Sequence, residues 1–242
     1  MVDTDFLIVG GGIAGAGLGA ALGQRRTLLI EAEDLCGRHA TGRSAAFWLE
    51  SYGGAAVAPL TRASRAPLAD KGWLSSRGAI HLDRGGGGDA FAALPGLEEV
   101  DRAGLEARIP GLKPGWRRGL LEPSCADIDV GALHADCLAL LWRAGGAVRT
   151  DAPLAAAERR GGIWHVTLSD GETVTAAILV NAAGAWADEV ARRAGVAPIG
   201  IAPKRRTMIQ LRIGRSGLRC LPLVTDVAGA FTSRAKANAR SG

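Results

Sequence analysis

Asp5-Phe6-Leu7-Ile8-Val9-Gly10-Gly11-Gly12-Ile13-Ala14-Gly15-Ala16-Gly17-Leu18-Gly19 reads as strand, glycine turn and helix. Phe6 to Val9 is a short apolar run of buried-strand type, and Gly10, Gly12 and Gly15 supply the G-x-G-x-x-G spacing. Each position has a physical task. Gly10 allows the tight turn, Gly12 lets a diphosphate approach the backbone, and Gly15 lets the helix pack closely on the strands. Ile13 and Ala14 lie in the first helical turn, where free N–H groups and positive potential favour an anion. A second strand, Thr27 to Ile30, ends at Glu31-Ala32, where the Glu31 carboxylate is placed to accept hydrogen bonds from ribose hydroxyls. Strand, turn, helix and acid agree on a dinucleotide site in an α/β, Rossmann-like domain.

The remaining composition sets bounds. A chain of 242 residues buries a substantial core, yet is short for a dinucleotide enzyme with a separate substrate domain, so one full domain and part of another are expected. The net charge of +5 invites a nucleic-acid reading, but the arginines are scattered rather than gathered on one stripe, which argues against it. Cys36, Cys125, Cys137 and Cys220 have neither metal-ligand spacing nor the density of a disulfide framework. They read as buried thiols of a cytoplasmic protein, and no metal is expected. Phe6 to Gly23 is uncharged, but Asp3 and Asp5 precede it and its glycines suit a phosphate turn, so no membrane span is expected.

After Glu31 comes Leu35-Cys36-Gly37-Arg38-His39-Ala40-Thr41-Gly42-Arg43-Ser44-Ala45-Ala46, a run of small and polar residues. Thr41, Arg43 and Ser44 are able to donate to phosphates or a ring edge, and Ala45 and Ala46 leave room for a flat ring. Further on, Ala63 to Leu74 reads as helical, Ala79 to Leu82 as a strand, Gly85 to Gly88 as a flexible turn, and Gly104 to Ile109 as a short helix. Asp127 or Asp129 is placed to cap a helix through Leu133, Cys137 and Leu141 to Gly145. Pro153 to Ala157, Trp164 to Leu168 and Thr173 to Val174 form a β-meander with turns at Gly161-Gly162 and Asp170-Gly171. Ile178 to Val180 is a separate buried parallel strand that delivers Asn181 to Trp186 to the ligand edge of the sheet.

The glycine turn followed by His39-Ala40-Thr41-Gly42-Arg43-Ser44-Ala45-Ala46 resembles the FAD-dependent D-amino-acid oxidase-like oxidoreductases, and within them is most similar to the D-arginine dehydrogenases. Tyr52-Gly53, Leu60 to Arg65, Ala126 to Asp129, Leu179 to Trp186 and Pro203 to Arg206 continue the likeness in the same order, from about Asp5 to about Val224. The resemblance implies an FAD-binding domain from residues 1–54 and 117–202, and a partial α+β substrate domain from residues 55–116 and 203–231. Residues 232–242 read as a disordered tail. The family's final strand, glycine-rich turn and helix are missing from this pattern, so the resemblance implies a truncated or frame-changed C-terminal end.

The same resemblance implies oxidative deamination of a D-amino acid or related amine, with hydride transfer to flavin; oxygen, a quinone or another carrier is able to reoxidise the flavin, and the sequence does not name which. It implies that Ala183, Gly184 and Trp186 lie against the FAD and that Pro153 and Leu154 meet its adenine end. Arg206 matches one of two carboxylate-binding arginines, and Tyr52 matches an active-site tyrosine. His39 echoes a histidine that some relatives use to attach FAD covalently, whereas the D-arginine dehydrogenases imply a noncovalent site. Phe47 replaces a histidine and Ala79 falls near the place of an acid, which points away from a basic substrate side chain. Two alternatives belong to other classes: a catalytically silent FAD-binding fragment, and a nicotinamide-dependent dehydrogenase. The second is disfavoured by the segment from His39 to Ala46 and by the late return of the sheet near Val148.

Overall fold

The computed structural model describes residues 2–85, 96–205, 207–212 and 218–234. Packing divides the chain into two compact units, one of residues 1–45 and 130–208 and the other of residues 46–129 and 209–242. Residues 46–54 and 117–129 therefore pack with the second unit, although the family resemblance groups them with the FAD-binding part.

The chain starts in the first unit with β1 (Thr4–Val9), α1 (Ile13–Ala21) and β2 (Thr27–Ile30). It then builds β3 (Phe47–Trp48), α2 (Gly54–Asp70), β4 (Leu74–Ser76), β5 (Ala79–Asp83), β6 (Glu98–Asp101), α3 (Arg102–Arg108), β7 (Arg118–Glu122) and β8 (Ala126–Ile128) of the second. Returning to the first, it forms α4 (Val130–Arg143), β9 (Ala147–Arg149), β10 (Leu154–Arg160), β11 (Ile163–Leu168), β12 (Thr173–Asn181) and α5 (Ala187–Arg193). β13 (Leu223–Asp226) and β14 (Thr232–Ser233) complete the second unit.

The first unit is a six-stranded mixed sheet in the order β10-β11-β12-β1-β2-β9. β1 is its centre because Leu7 and Ile8 are fully buried and Val9 nearly so, each contributing about 1.5–3 kcal/mol of apolar burial. It runs parallel to β2 on one side (Val9 beside Ile30) and to β12 on the other (Val9 beside Asn181). Ligands of open α/β sheets bind where such parallel strands end. α1 lies close to α4, and Gly19 makes this possible: a Cβ there would stand 3.0 Å from Leu141 Cδ2.

β12 differs from the sequence expectation. The meander strand and the buried parallel strand are one element of nine residues. Its first half pairs antiparallel with β11, from Thr167 beside Thr173 to Trp164 beside Ala176, while its second half runs beside β1. Both readings of the local pattern were sound, but no turn separates them.

The second unit contains a five-stranded sheet, β14-β13-β5-β7-β6, and a small sheet, β3-β8-β4. Here the expectations need more correction. Helix α2 begins at Gly54 and ends at Asp70, well before Leu74, which starts β4. With Pro59 and Pro67 inside it and Ala58 its one buried residue, α2 has little apolar periodicity to reveal it. Asp127 does not cap α4; it lies in β8 and pairs with Arg77 at 2.5 Å and Arg234 at 2.8 Å. α4 starts directly after Asp129. The segment read as a tail starts as structure: Thr232 pairs with Thr225 and Ser233 with Val224. Residues 235–242, and Gly86 to Gly88 of the turn after Gly85, lie outside the described residues.

Cys36 and Cys125 are buried as expected, Cys137 is half-buried, and Cys220 is exposed; all are free thiols. Burial, with Glu122 and Asp127 nearby, pushes the Cys125 thiol up to about 12. Among the described residues no helix is long and apolar enough to cross a membrane. No cluster of potential metal ligands occurs among them either.

Candidate dinucleotide site

The glycine turn leaves β1 between the ends of its two parallel neighbours. The Gly10 N–H donates to Ile30 O at 2.8 Å, and the Ala182 N–H donates to Val9 O at 2.9 Å. Gly10 has φ +109°, and a Cβ there would lie 2.5 Å from Ala182 O. Gly15 is tighter: its Cβ would come within 2.0 Å of Gly10 O. The spacing read from the sequence thus corresponds to two backbone approaches that only glycine permits.

α1 begins after Gly12, with no side chain capping its N-cap and no acid in its first turn. The helix start carries positive potential that suits an anion. The Ile13 N–H donates to Thr41 Oγ1 at 3.0 Å, which brings the loop after Glu31 against the helix start. Gly12 faces the same hydroxyl, its would-be Cβ 3.3 Å from Thr41 Oγ1. This glycine cradle, with no acidic residue in the first turn of α1, fits the diphosphate of FAD.

Glu31 occupies the end of β2, but its carboxylate is already bonded within the chain. Oε2 accepts from the Gly11 N–H at 2.7 Å and Oε1 from the Glu33 N–H at 3.1 Å. A ribose hydroxyl would share these oxygens, whose remaining lone pairs allow it. Ala32 is exposed beside it. The segment before β10 runs next to this acid, because the Ala152 N–H donates to Glu31 O at 2.8 Å and the Asp151 N–H to Glu33 O at 2.9 Å. Pro153 is half-buried at that edge, whereas the Leu154 side chain is buried in the core. Any contact of Leu154 with a ligand is therefore through its backbone.

Across the turn, His39 Nε2 lies 2.7 Å from Glu33 Oε1, and the His39 and Trp186 rings are 4.7 Å apart at their centroids. Trp186 is 48% exposed, so core packing does not account for it. Ala183 is half-buried and Gly184, with φ +55°, opens the single helical turn Gly184–Trp186. Arg43 and Ser44 are exposed and Ala45 is half-buried in this unit. Ala46 and Tyr52 belong to the second unit, where Tyr52 is 58% exposed and edge-on to Phe47 at 6.4 Å. Arg206 lies outside the described residues.

Three participants were not identified from the sequence. His134 on α4 is 9% exposed, and its Nε2 lies 2.8 Å from Gly11 O, so it braces the turn from beneath. Gly11 is not a spacer: a Cβ there would meet Cys36 Sγ at 2.5 Å. Cys36 is the buried partner in that contact, its thiol pushed up by burial and by Glu31. The only sequence signal for His134 was a polar residue on the apolar face of an otherwise regular helix. His134→Ala is expected to weaken dinucleotide binding about threefold to tenfold, the loss typical of one buried hydrogen bond, as measured by flavin titration.

Known structures share the fold. The chain is similar in fold to L-α-glycerophosphate oxidase from Mycoplasma pneumoniae, a structure with FAD bound, at 14% identity and TM-score 0.73 over 94% of this chain and 66% of that one. Glycine oxidase from Geobacillus kaustophilus matches at 19% identity and TM-score 0.73 over 92% of this chain and 66% of that one. L-proline dehydrogenase from P. horikoshii matches at 16% identity and TM-score 0.74 over 93% of this chain and 64% of that one. The chain thus spans slightly less than two thirds of the length of these structures. The model of the FAD-dependent oxidoreductase (DAO) family matches residues 5–235, nearly the whole chain. This chain belongs to the FAD-dependent oxidoreductase family, whose cofactor is FAD.

Proposed function

We propose that this chain is the FAD-holding part of an amine or D-amino-acid dehydrogenase or oxidase acting on a neutral substrate. The observation behind this reading is the cradle at Gly10 and Gly15, combined with a helix start free of acidic residues at the joint end of β1 and β12. Gly10, Gly12, Ile13, Ala14 and Gly15 would hold the diphosphate, and Glu31 and Ala32 the ribose. Pro153 and the Leu154 backbone would border the adenine. Thr41, Arg43, Ser44, Ala45, Ala183, Gly184 and Trp186 would surround the remainder, with the His39 ring tilted against Trp186 in a noncovalent site.

FAD would supply an acceptor for the hydride leaving the amine-bearing carbon, and water would hydrolyse the resulting imine to a 2-oxo acid and ammonia. The chain's own task is to hold and orient the substrate. Arg206 would bind its carboxylate through the planar guanidinium, and Tyr52 would orient it. Phe47, half-buried and edge-on to Tyr52, would favour an apolar substrate side chain over a guanidinium. This argues against D-arginine within the same chemistry.

The test is reduction of the purified flavoprotein without oxygen. Neutral D-amino acids are expected to bleach the flavin absorbance, and basic ones to do so poorly. A flavin that remains oxidised with every amino acid and amine, yet is reduced by dithionite, would replace this reading with the catalytically silent FAD binder.

A further inference from the structure

We infer that Glu122 is a positioning residue that fixes the turn presenting Tyr52 to substrate, an inference resting on the substrate-facing reading of Tyr52. Glu122 is 2% exposed at the end of β7. Its carboxylate is directed at the turn after β3: Oε1 accepts from the Glu50 N–H at 2.9 Å and the Ser51 N–H at 3.2 Å, and Oε2 accepts from Ser51 Oγ at 2.6 Å. The buried His81 on β5 braces the same oxygen, its Nε2 3.0 Å away.

A carboxylate removed from water is costly unless its lone pairs are taken up. Here three of the four interactions are with two consecutive residues of one turn. That turn closes through the Tyr52 N–H to Leu49 O at 3.2 Å. Leu49 is buried beneath it, and Tyr52 is the large side chain it exposes. On the far side Gly53, with φ +87°, is the N-cap of α2 and offers no side-chain cap, and Gly54, with φ +71°, opens the helix. The backbone before Tyr52 is thus held by Glu122 acting through Ser51 and Glu50, while the Arg62–Glu50 ion pair and the edge-on contact of Tyr52 with Phe47 act on side chains.

Tyr52 is the sole tyrosine of the chain, so 3-fluorotyrosine incorporation gives one protein fluorine resonance that reports on this turn. Ser51→Ala and Glu122→Gln are each expected to move that line toward its urea-unfolded position while cooperative unfolding, followed by tryptophan fluorescence, persists. Neutral D-amino acids added to the flavin-loaded protein are expected to shift the parent line. Their apparent affinity falls about threefold to tenfold in the variants, as for loss of oriented hydrogen bonds. If Glu122→Gln does not fold, Ser51→Ala alone decides. A line unmoved in the folded variants overturns the inference. A line moved by the substitutions but unaffected by every D-amino acid overturns the substrate-facing reading of Tyr52 and leaves Glu122 as the anchor of the turn.

Discussion

Gly15→Ala is expected to yield a folded but colourless protein, whereas Gly17→Ala, two residues along the same helix, is expected to keep its flavin and gain stability. At Gly15 the added Cβ would stand 2.0 Å from Gly10 O and 3.3 Å from Ile8 Cγ2. The first of these is backbone, so no rotamer change relieves it. α1 must lift from the turn, carrying the amide groups of its first residues away from the diphosphate. Overpacking of this kind costs about 1–3 kcal/mol, enough to lower the melting temperature by several degrees without unfolding the domain. At Gly17 nothing lies within 4 Å of the added methyl group. Alanine there gains roughly 0.5–1 kcal/mol of helix propensity. Flavin absorbance after purification and the melting temperature check both arms. Equal flavin content in the two variants would contradict the close approach as the reason for this glycine.

Stability of the second unit is expected to fall in acid through Glu122. Burial raises its carboxyl pKa, but hydrogen bonds from His81 and Ser51 outweigh that and hold it below the ordinary value of 4.5. A pKa lower in the folded than in the unfolded chain means that the ionised form stabilises the fold. That contribution is complete above about 4.5 and is lost as the pH falls through the lower folded value. Glu122→Gln removes the charge that these donors share, at a cost of about 2–3 kcal/mol at neutral pH. Urea unfolding of parent and variant should therefore differ widely at pH 7 and converge in acid. A difference that stays constant through that range would contradict the charged state of Glu122 as its source.

What could be read from the sequence follows from how local each constraint is. β1, the glycine turn, α1 and β2 were legible because strand burial, backbone reversal and helix start are all written within a few neighbouring residues. The spacing of Gly10, Gly12 and Gly15 led to the cradle for the same reason. His134 was not legible, since its bond to Gly11 joins residues 123 positions apart and depends on how α4 lies against α1. Gly11 has no task in the glycine spacing itself, and its role shows only once Cys36 is placed against it. Glu31 was found, but its prior engagement by the Gly11 and Glu33 amides was not, because hydrogen bonding to a loop leaves no periodic trace.

Elsewhere composition misled. α2 contains two prolines and buries little, so its pattern lacks a stripe. Asp127 looked like a helix cap because capping and ion pairing use the same residue type, and Arg77 and Arg234 lie far from it in sequence. Cys220 looked like the other thiols, and only its surroundings distinguish it. Tyr52 was singled out through family likeness, while the Glu122 carboxylate beneath its turn left no sequence pattern to find.

The central claim is that the turn from Gly10 to Gly15 grips the diphosphate of FAD. It is tested most directly by titrating FAD into the flavin-stripped, folded chain and following flavin fluorescence, with Gly15→Ala in parallel. Saturable quenching at one FAD per chain, lost in Gly15→Ala and undiminished in Gly17→Ala, is the predicted result. Folded protein that takes up no FAD, or a Gly15→Ala variant that binds it as tightly as the parent, would contradict it.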